Sequence, residues 1–321
     1  MIPKLIITVG LLLVVAAGYK SGAALARQPQ RERLRNQTLA ARELIFGGKY
    51  EAAMKRFAEL ASEHPASPAG DFYQAVTLVW KSHVDASLDL GARTYDGEIE
   101  AALASTIKKA TALRSRDDKS DEDEAEGLYY LGSAYAIRSR LAFSQNHAIP
   151  AARAARTAQE FLGALIKLRP DYTDALFAAG SIYYRVGLLT DSPVGRLATT
   201  VLGPKALPAG DRTRGLAYLK TAAEKGDLTG IDAKFALVEV LTLVENRYDE
   251  ALAYARELEA NYPENQTVTR YMLKIYVGLK DRARITQTVQ QILARVKAGR
   301  PNFGAFMKAE AEKALTEAAK L

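Results

Sequence analysis

The tripeptide Gly47-Gly48-Lys49 has the residue types that hold phosphate groups in nucleotide-binding proteins. A phosphate loop needs the frame GxxxxGK[ST] after a β-strand, because its backbone N–H groups surround the phosphates and its lysine reaches them. The sequence has neither that frame nor a strand pattern before the glycines. We therefore interpret these residues as the turn between two helices.

Two further groups of residues, one acidic and one of histidines, have the side chains that bind metal ions. The acidic run from Asp117 to Glu124 lacks the alternating ligands, central glycine and distant glutamate of an EF-hand loop. The three histidines, His64, His83 and His147, lie in different segments, and the motifs HExxH, GxSxG and GxGxxG are absent. We predict no catalytic residue, no metal site and no cofactor. An enzyme assembled from scattered residues is kept as an alternative.

The composition is that of a folded protein of one or two domains, with 48% hydrophobic and 25% charged residues among 321. Cysteine is absent, which excludes disulfides, thiolate nucleophiles and cysteine zinc sites. A net charge of +7 and a pI near 9.3 would suit a nucleic-acid partner. However, basic and acidic residues are mostly interspersed, and the clearest basic cluster (Arg27, Arg31, Arg33 and Arg35) directly follows an apolar segment. We predict no nucleic-acid partner.

The N-terminus carries an almost wholly apolar run, Leu5 to Gly18, directly after Lys4. This run is shorter than the ~17–25 residues of a transmembrane helix but typical of a signal-peptide core. Ala24-Leu25-Ala26 then supplies a small-x-small cleavage site. We predict that residues 1–26 are a signal peptide or membrane anchor and that the protein is exported to the cell envelope. If the segment is uncleaved, the Lys and Arg residues after it favour the alternative of an inner-membrane anchor with a cytoplasmic body.

One spacing rule recurs in distant parts of the chain. The first copy has offsets of 0, 3, 7, 10 and 15 residues and consists of Tyr50, Ala53, Phe57, Leu60 and Pro65. The second copy has the same offsets and consists of Tyr248, Ala251, Ala255, Leu258 and Pro263. A third copy repeats the last four positions with Ala158, Leu162, Leu165 and Pro170. Offsets of 3, 7 and 10 lie on one helix face, and the proline marks the helix end. The recurrence predicts stacked helical hairpins.

A second pattern has a large residue, then Leu-Gly or Ala-Gly three residues later, and then a tyrosine three residues after the glycine. It occurs in the segment from Leu128 to Tyr135 and again at Leu176, Ala179, Gly180 and Tyr183. With the helix face above, this pattern resembles the tetratricopeptide-repeat (TPR) family over most of residues 35–300. Residues 215–227 resemble a Sel1 repeat, a TPR relative. The resemblance implies an all-α, right-handed superhelical solenoid of antiparallel helix pairs, with about five to six irregular repeats of ~34 residues.

We predict one TPR-like solenoid over residues 27–321. Its units span about 35–67, 68–118, 120–170, 171–227, 231–264 and 265–299, followed by a capping helix at 303–320. The third unit has lengthened helices with Asn146-His147 near the turn, and the fourth holds a proline-containing insertion at 188–211. Gly132 and Gly180 are expected where paired helices approach closely, because glycine has no side chain.

In TPR proteins the first helix of each pair lines the concave side and contacts the ligand. The resemblance therefore places the binding groove at Tyr129, Ser133, Asp174, Phe177, Ser181, Tyr184 and Arg185. Aromatic rings beside hydroxyls suit an extended peptide, and Arg185 could pair with a carboxylate. The alternative is that the tyrosines belong to the core between repeats. In the unit at 231–264, the equivalent Val240, Leu243 and Val244 are expected to be buried.

These observations predict a non-catalytic protein–protein interaction scaffold or adaptor of the cell envelope, with a protein or peptide partner in the concave groove. A membrane contact is expected through residues 1–26 if they are uncleaved. The first alternative is a membrane-tethered, cytoplasm-facing assembly or regulatory factor for envelope biogenesis, similar to bacterial factors that pair one N-terminal span with TPRs. Those factors carry a metal-binding cysteine module that this chain lacks. The second alternative is an enzyme with no recognisable motif.

Overall fold

The computed structural model describes residues 28–87, 95–202 and 207–321, and these form fourteen α-helices and no β-strand. The helices are α1 (28–46), α2 (Tyr50–Glu63), α3 (Ala69–Ser87), α4 (Asp96–Arg114), α5 (Asp121–Ser144), α6 (Ala148–Leu168), α7 (Ala175–Asp191), α8 (Pro193–Leu202), α9 (Arg212–Lys225), α10 (Gly230–Leu243), α11 (Tyr248–Asn261), α12 (Gln266–Gly278), α13 (Arg282–Lys297) and α14 (Ala305–Ala318). From α2 onward, each helix packs on the next one in the chain, except that α9 packs on α7 and not on the short α8. This all-α architecture is compatible with a helical solenoid. The predicted unit boundaries stay a prediction.

The predicted signal peptide or anchor, residues 1–26, lies outside the described residues. Within the described ranges, no helix combines the length and the apolar character needed to cross a membrane.

The recurrent spacing rule marks buried helix faces, as predicted. The residues that follow it are buried in three helices: Tyr50, Ala53, Phe57 and Leu60 in α2, Ala158, Leu162 and Leu165 in α6, and Ala251, Ala255 and Leu258 in α11. The exception is Tyr248, the first position of the α11 copy, which is half-buried. Each helix ends two residues before the proline of its pattern, at Glu63, Leu168 and Asn261. Proline cannot continue a helix because it lacks the backbone N–H and its ring clashes with the preceding turn.

Two glycines allow close helix packing, which confirms the expectation for them. A Cβ atom on Gly132 would lie 2.5 Å from Cγ of Leu162, so α5 and α6 could not approach as they do. A Cβ atom on Gly180 would lie 2.9 Å from the carbonyl oxygen of Gly215, where α7 meets α9. The missing side chain thus makes room for the Leu162 side chain at Gly132 and for the backbone of α9 at Gly180.

The irregular centre of the chain contains the two longest paired helices, α5 with 24 residues and α6 with 21. The Ser120 hydroxyl caps α5 through the N–H of Asp123, and the Asp123 carboxylate accepts the N–H of Ser120 in return. At the α5–α6 turn, Asn146 has φ of 61°, a left-handed conformation that asparagine tolerates better than most residues. The predicted lengthening and turn position are therefore confirmed. Part of the 188–211 insertion is helix α8, which packs on α7.

Helix α1 contacts helices that lie far away in sequence, a feature that the sequence did not reveal. The Phe46 ring stacks on Phe235 of α10 with 6.0 Å between centroids, and the side-chain amide of Asn265 donates to the Phe46 carbonyl at 2.7 Å. Arg42 forms an ion pair with Asp232 and is only 3% exposed. We call these three contacts the α1 closure. They join the first described helix to α10 and to the start of α12, so the array of helices closes on itself.

Candidate ligand-binding cavity

The closed array surrounds a cavity of about 250 Å³. Most of its wall comes from five helices that are not consecutive in the chain, α3, α5, α7, α10 and α12. Ala155 of α6 and Thr229, just before α10, complete the lining. We call this space the central cavity, and its lining includes Tyr73, Val76, Trp80, His83, Tyr129, Ser133, Ile137, Arg140, Phe177, Ser181, Ile182, Arg185, Asp232, Phe235, Glu239 and Arg270. Along α5, Tyr129 and Arg140 are eleven residues apart, which places them about 16 Å from each other along the helix axis.

Helix α1 closes one end of the central cavity. Tyr73 and Asp232 line that end, and the guanidinium of Arg42 lies behind both, 5.2 Å from the Tyr73 ring centre and paired with the Asp232 carboxylate. Phe46 covers Phe235 from the same side and is 1% exposed. Because Arg42 and Phe46 are themselves buried, this end has no opening to solvent.

The middle of the cavity is apolar and aromatic. The rings of Trp80 and Phe235 meet edge to face at 4.8 Å between centroids. Val76, Phe177 and Ile182 continue the wall on α3 and α7. Such a surface binds apolar groups by removing them from water, and aromatic rings provide a large contact area at small entropic cost.

The opposite end is polar and open to solvent. Arg140, Arg185 and Glu239 lie there, and the side chains of Arg185 and Glu239 are 51% and 43% exposed. The closest nitrogen–oxygen distance between Arg185 and Glu239 is 4.0 Å, at the limit of an ion pair. In the described part of the chain, no carboxylate lies within ion-pair distance of Arg140. Its guanidinium contacts the ring of His83 instead.

The hydrogen bonds of His83 define its tautomer. Its Nδ1 lies 2.5 Å from the Val79 carbonyl oxygen, which can only accept, so Nδ1 carries the proton. The other nitrogen, Nε2, then accepts from Arg140. Desolvation by the surrounding protein and the positive charge of Arg140 lower the pKa of His83 to about 4. The ring is therefore neutral at pH 7, and the open end keeps an excess of positive charge.

An NMR titration of the imidazole C–H signals tests this contact. We expect His83 to titrate near pH 4 and to move toward 6.5 in Arg140→Gln, without reaching it because the desolvation persists. Since the folded-state pKa lies below the unfolded value, His83 favours the folded state above about pH 6.5, and this contribution is lost as the pH falls through about 4. Assignment by His83→Gln is simple with three histidines in the chain. A wild-type midpoint near 6.5, or one unchanged by Arg140→Gln, would contradict the described contact.

The structure places five of the seven sequence-predicted groove residues on this one cavity: Tyr129, Ser133, Phe177, Ser181 and Arg185. Tyr129 and Ser133 are almost fully buried, 2% and 5% exposed, whereas Arg185 reaches solvent. The tyrosine thus belongs to the packed wall and the arginine to the open end. Their role in ligand binding stays a prediction.

The other two predicted residues, Asp174 and Tyr184, are not among those that line the cavity and bind neighbouring segments. Oδ1 of Asp174 accepts the N–H groups of Leu228 and Thr229 at 2.8 and 2.9 Å, which fixes the loop before α10. Burial raises the pKa of Asp174 despite these hydrogen bonds. The Tyr184 hydroxyl donates to Oε1 of Glu245 at 2.6 Å.

Sequence reasoning missed the contributions of α3, α10 and α12. On α10 the structure contradicts the expected buried face: Leu243 is 52% exposed, and Asp232, Phe235, Ala236 and Glu239 line the cavity instead. A signal for the lining residues does exist in the sequence. Positions i, i+4 and i+7 of a helix share one face. Three of the lining helices follow this spacing: α3 with Val76, Trp80 and His83, α5 with Ser133, Ile137 and Arg140, and α10 with Asp232, Ala236 and Glu239.

No protein-family model matches this chain, and neither a curated protein nor a solved structure is similar to it. Across the described ranges, no group of three or more His, Asp or Glu side chains is placed to hold a metal ion.

Proposed function

We propose that this chain is a non-catalytic, TPR-like interaction scaffold of the cell envelope that binds a polypeptide partner in its central cavity. The single observation that supports the proposal most strongly is the convergence of Tyr129, Ser133, Phe177, Ser181 and Arg185 on one surface. In TPR proteins these positions contact the ligand, and here they come from two different helices, α5 and α7. The envelope location rests on the sequence-based prediction that residues 1–26 are a signal peptide or membrane anchor.

The shape of the cavity restricts how a partner can bind. Helix α1 blocks the end at Tyr73 and Asp232, so a polypeptide cannot pass through the ring of helices. A partner therefore enters at the open end, beside Arg185 and Glu239, with a chain terminus or the tip of a loop. The apolar wall around Trp80 and Phe177 would then bury its side chains.

A cavity-filling substitution tests the proposal. Ser181 lines the cavity and has a small, partly exposed side chain, so Ser181→Trp is expected to fill the space without adding charge. We expect the tagged full chain, purified from gently solubilised envelopes, to retain a specific polypeptide, and Ser181→Trp to lose at least about nine-tenths of it, the loss that ~1.4 kcal/mol produces.

The matched control is Ser62→Trp, because Ser62 is an exposed residue of α2 and does not line the cavity. Circular dichroism confirms that both variants keep their helix content. Equal retention of the partner by wild type, Ser181→Trp and Ser62→Trp would refute the cavity as the binding site.

A further inference from the structure

The two ends of the central cavity differ in chemistry, and this polarity points to a particular ligand class. The closed end and middle present Trp80, Phe177, Ile182 and Phe235, with no uncompensated charge, because Asp232 is paired with Arg42. The open end presents two arginines, Arg140 and Arg185, against the single carboxylate of Glu239. A ligand that matches this surface has an apolar body and a negatively charged head.

Arg140 and Arg185 are placed to bind such a head. They come from different helices, α5 and α7, and both border the opening. Arg140 and Arg185 are like charges that line the same end of the cavity, so they repel each other. Desolvation and the nearby positive charge of Arg185 lower the pKa of Arg140 to about 10. A bound anion would relieve this repulsion and accept hydrogen bonds from both groups, since guanidinium groups match the geometry of a carboxylate.

We propose that the central cavity binds a small amphipathic carboxylate, with its apolar chain between Trp80 and Phe177 and its carboxylate between Arg140 and Arg185. This inference uses the same cavity as the polypeptide proposal and goes beyond it, since a free acid needs no protein partner. The blind end at Tyr73 limits the length of the chain that fits. With about 16 Å between Tyr129 and Arg140 along α5, a medium-length alkyl chain spans the available depth.

Octanoate is the probe, and calorimetric titration of the full chain is the measurement. We expect octanoate to bind with a lower Kd than acetate, which has the same head, by about fourfold for each methylene that is buried. Octan-1-ol has the same chain without the charge and octylamine has the opposite charge, so both are expected to bind at least about tenfold more weakly than octanoate.

Variants of the two arginines locate the head. Arg140→Gln and Arg185→Gln are each expected to raise the Kd of octanoate about tenfold, as for the loss of a hydrogen bond to a charged group. Arg153→Gln removes the same charge from an exposed position of α6 outside the cavity and is expected to leave the Kd unchanged. If one variant fails to fold, the other arginine still decides the result.

Three outcomes would overturn the inference: no octanoate binding at millimolar concentration, equal binding of octanoate and octan-1-ol, or equal effects of Arg140→Gln and Arg153→Gln. The polypeptide proposal fails separately, because its test is partner retention by Ser181→Trp. Octanoate binding without any retained polypeptide would leave the carboxylate site in place and refute the scaffold. Retained polypeptide without octanoate binding would refute the carboxylate site and leave the scaffold proposal in place.

Discussion

Replacement of Arg42 by alanine is expected to lower the free energy of unfolding by about 3–5 kcal/mol, because it leaves a buried carboxylate without its partner. Arg42 is 3% exposed, pairs with Asp232 and lies 5.2 Å from the ring centres of Phe46 and Tyr73. Burial raises the pKa of Asp232, and the charge of Arg42 acts against that shift. Urea unfolding followed by circular dichroism measures the change.

Two further variants make this result specific to the α1 closure. The double variant Arg42→Ala/Asp232→Asn is expected to be more stable than Arg42→Ala alone, because it no longer buries a charged Asp232 carboxylate without its arginine. Arg56→Ala is the surface control: Arg56 pairs with Glu59 and Glu63 at 3.0 and 3.2 Å on the solvent-facing side of α2, where such pairs contribute about 0–1 kcal/mol. Equal effects of Arg42→Ala and Arg56→Ala would show that α1 is not held as described.

The second large effect is expected from Gly215→Ala in α9. An added Cβ would lie 2.5 Å from the backbone nitrogen of Tyr184 and 2.7 Å from its Cα, distances that the backbone of α7 can relieve only by moving. Overpacking costs typically 1–3 kcal/mol and more where backbone must shift, so we expect a loss of about 3 kcal/mol. The measurement is again urea unfolding: we expect a lower midpoint concentration and an unchanged dependence of the free energy of unfolding on urea concentration.

Gly163→Ala is the matched control, since nothing lies within 4 Å of a Cβ at that position in α6. Alanine has the higher helix propensity, so this substitution is expected to stabilise the chain by up to ~1 kcal/mol. Opposite signs for the two glycine variants would establish that the packing of α7 on α9 requires Gly215. A neutral Gly215→Ala would mean that these helices are farther apart than described.

The local features of the fold could be predicted because they depend on neighbours in sequence. The buried faces of α2, α6 and α11 follow from one residue spacing, and the cap at Ser120 follows from a serine before four acidic residues. Close packing at Gly132 follows from the glycine itself, since only a missing side chain allows that contact.

The α1 closure could not be predicted because its partners lie far apart in sequence, 190 residues for Arg42 and Asp232 and 219 for Phe46 and Asn265. Arg42 is one of 44 basic residues, and nothing near it in sequence distinguishes it from an exposed arginine. The charge cluster at the open end, apart from Arg185, could not be predicted for the same reason. Arg140 follows Ser133 by seven residues on one helix face, yet its neighbours His83 and Arg185 come from other helices, so the charge cluster exists only in the folded chain.

The central claim is that the cavity holds a polypeptide, and site-specific photo-cross-linking in intact cells tests it most directly. The photoreactive p-azidophenylalanine replaces either Phe177, which lines the cavity, or Phe143, which is 63% exposed on α5 outside it. The conservative change at Phe177 leaves the cavity open, unlike Ser181→Trp. We predict a light-dependent covalent adduct with a polypeptide from position 177 and none from position 143. An adduct from position 143 alone, or none from either position, would contradict the proposed function.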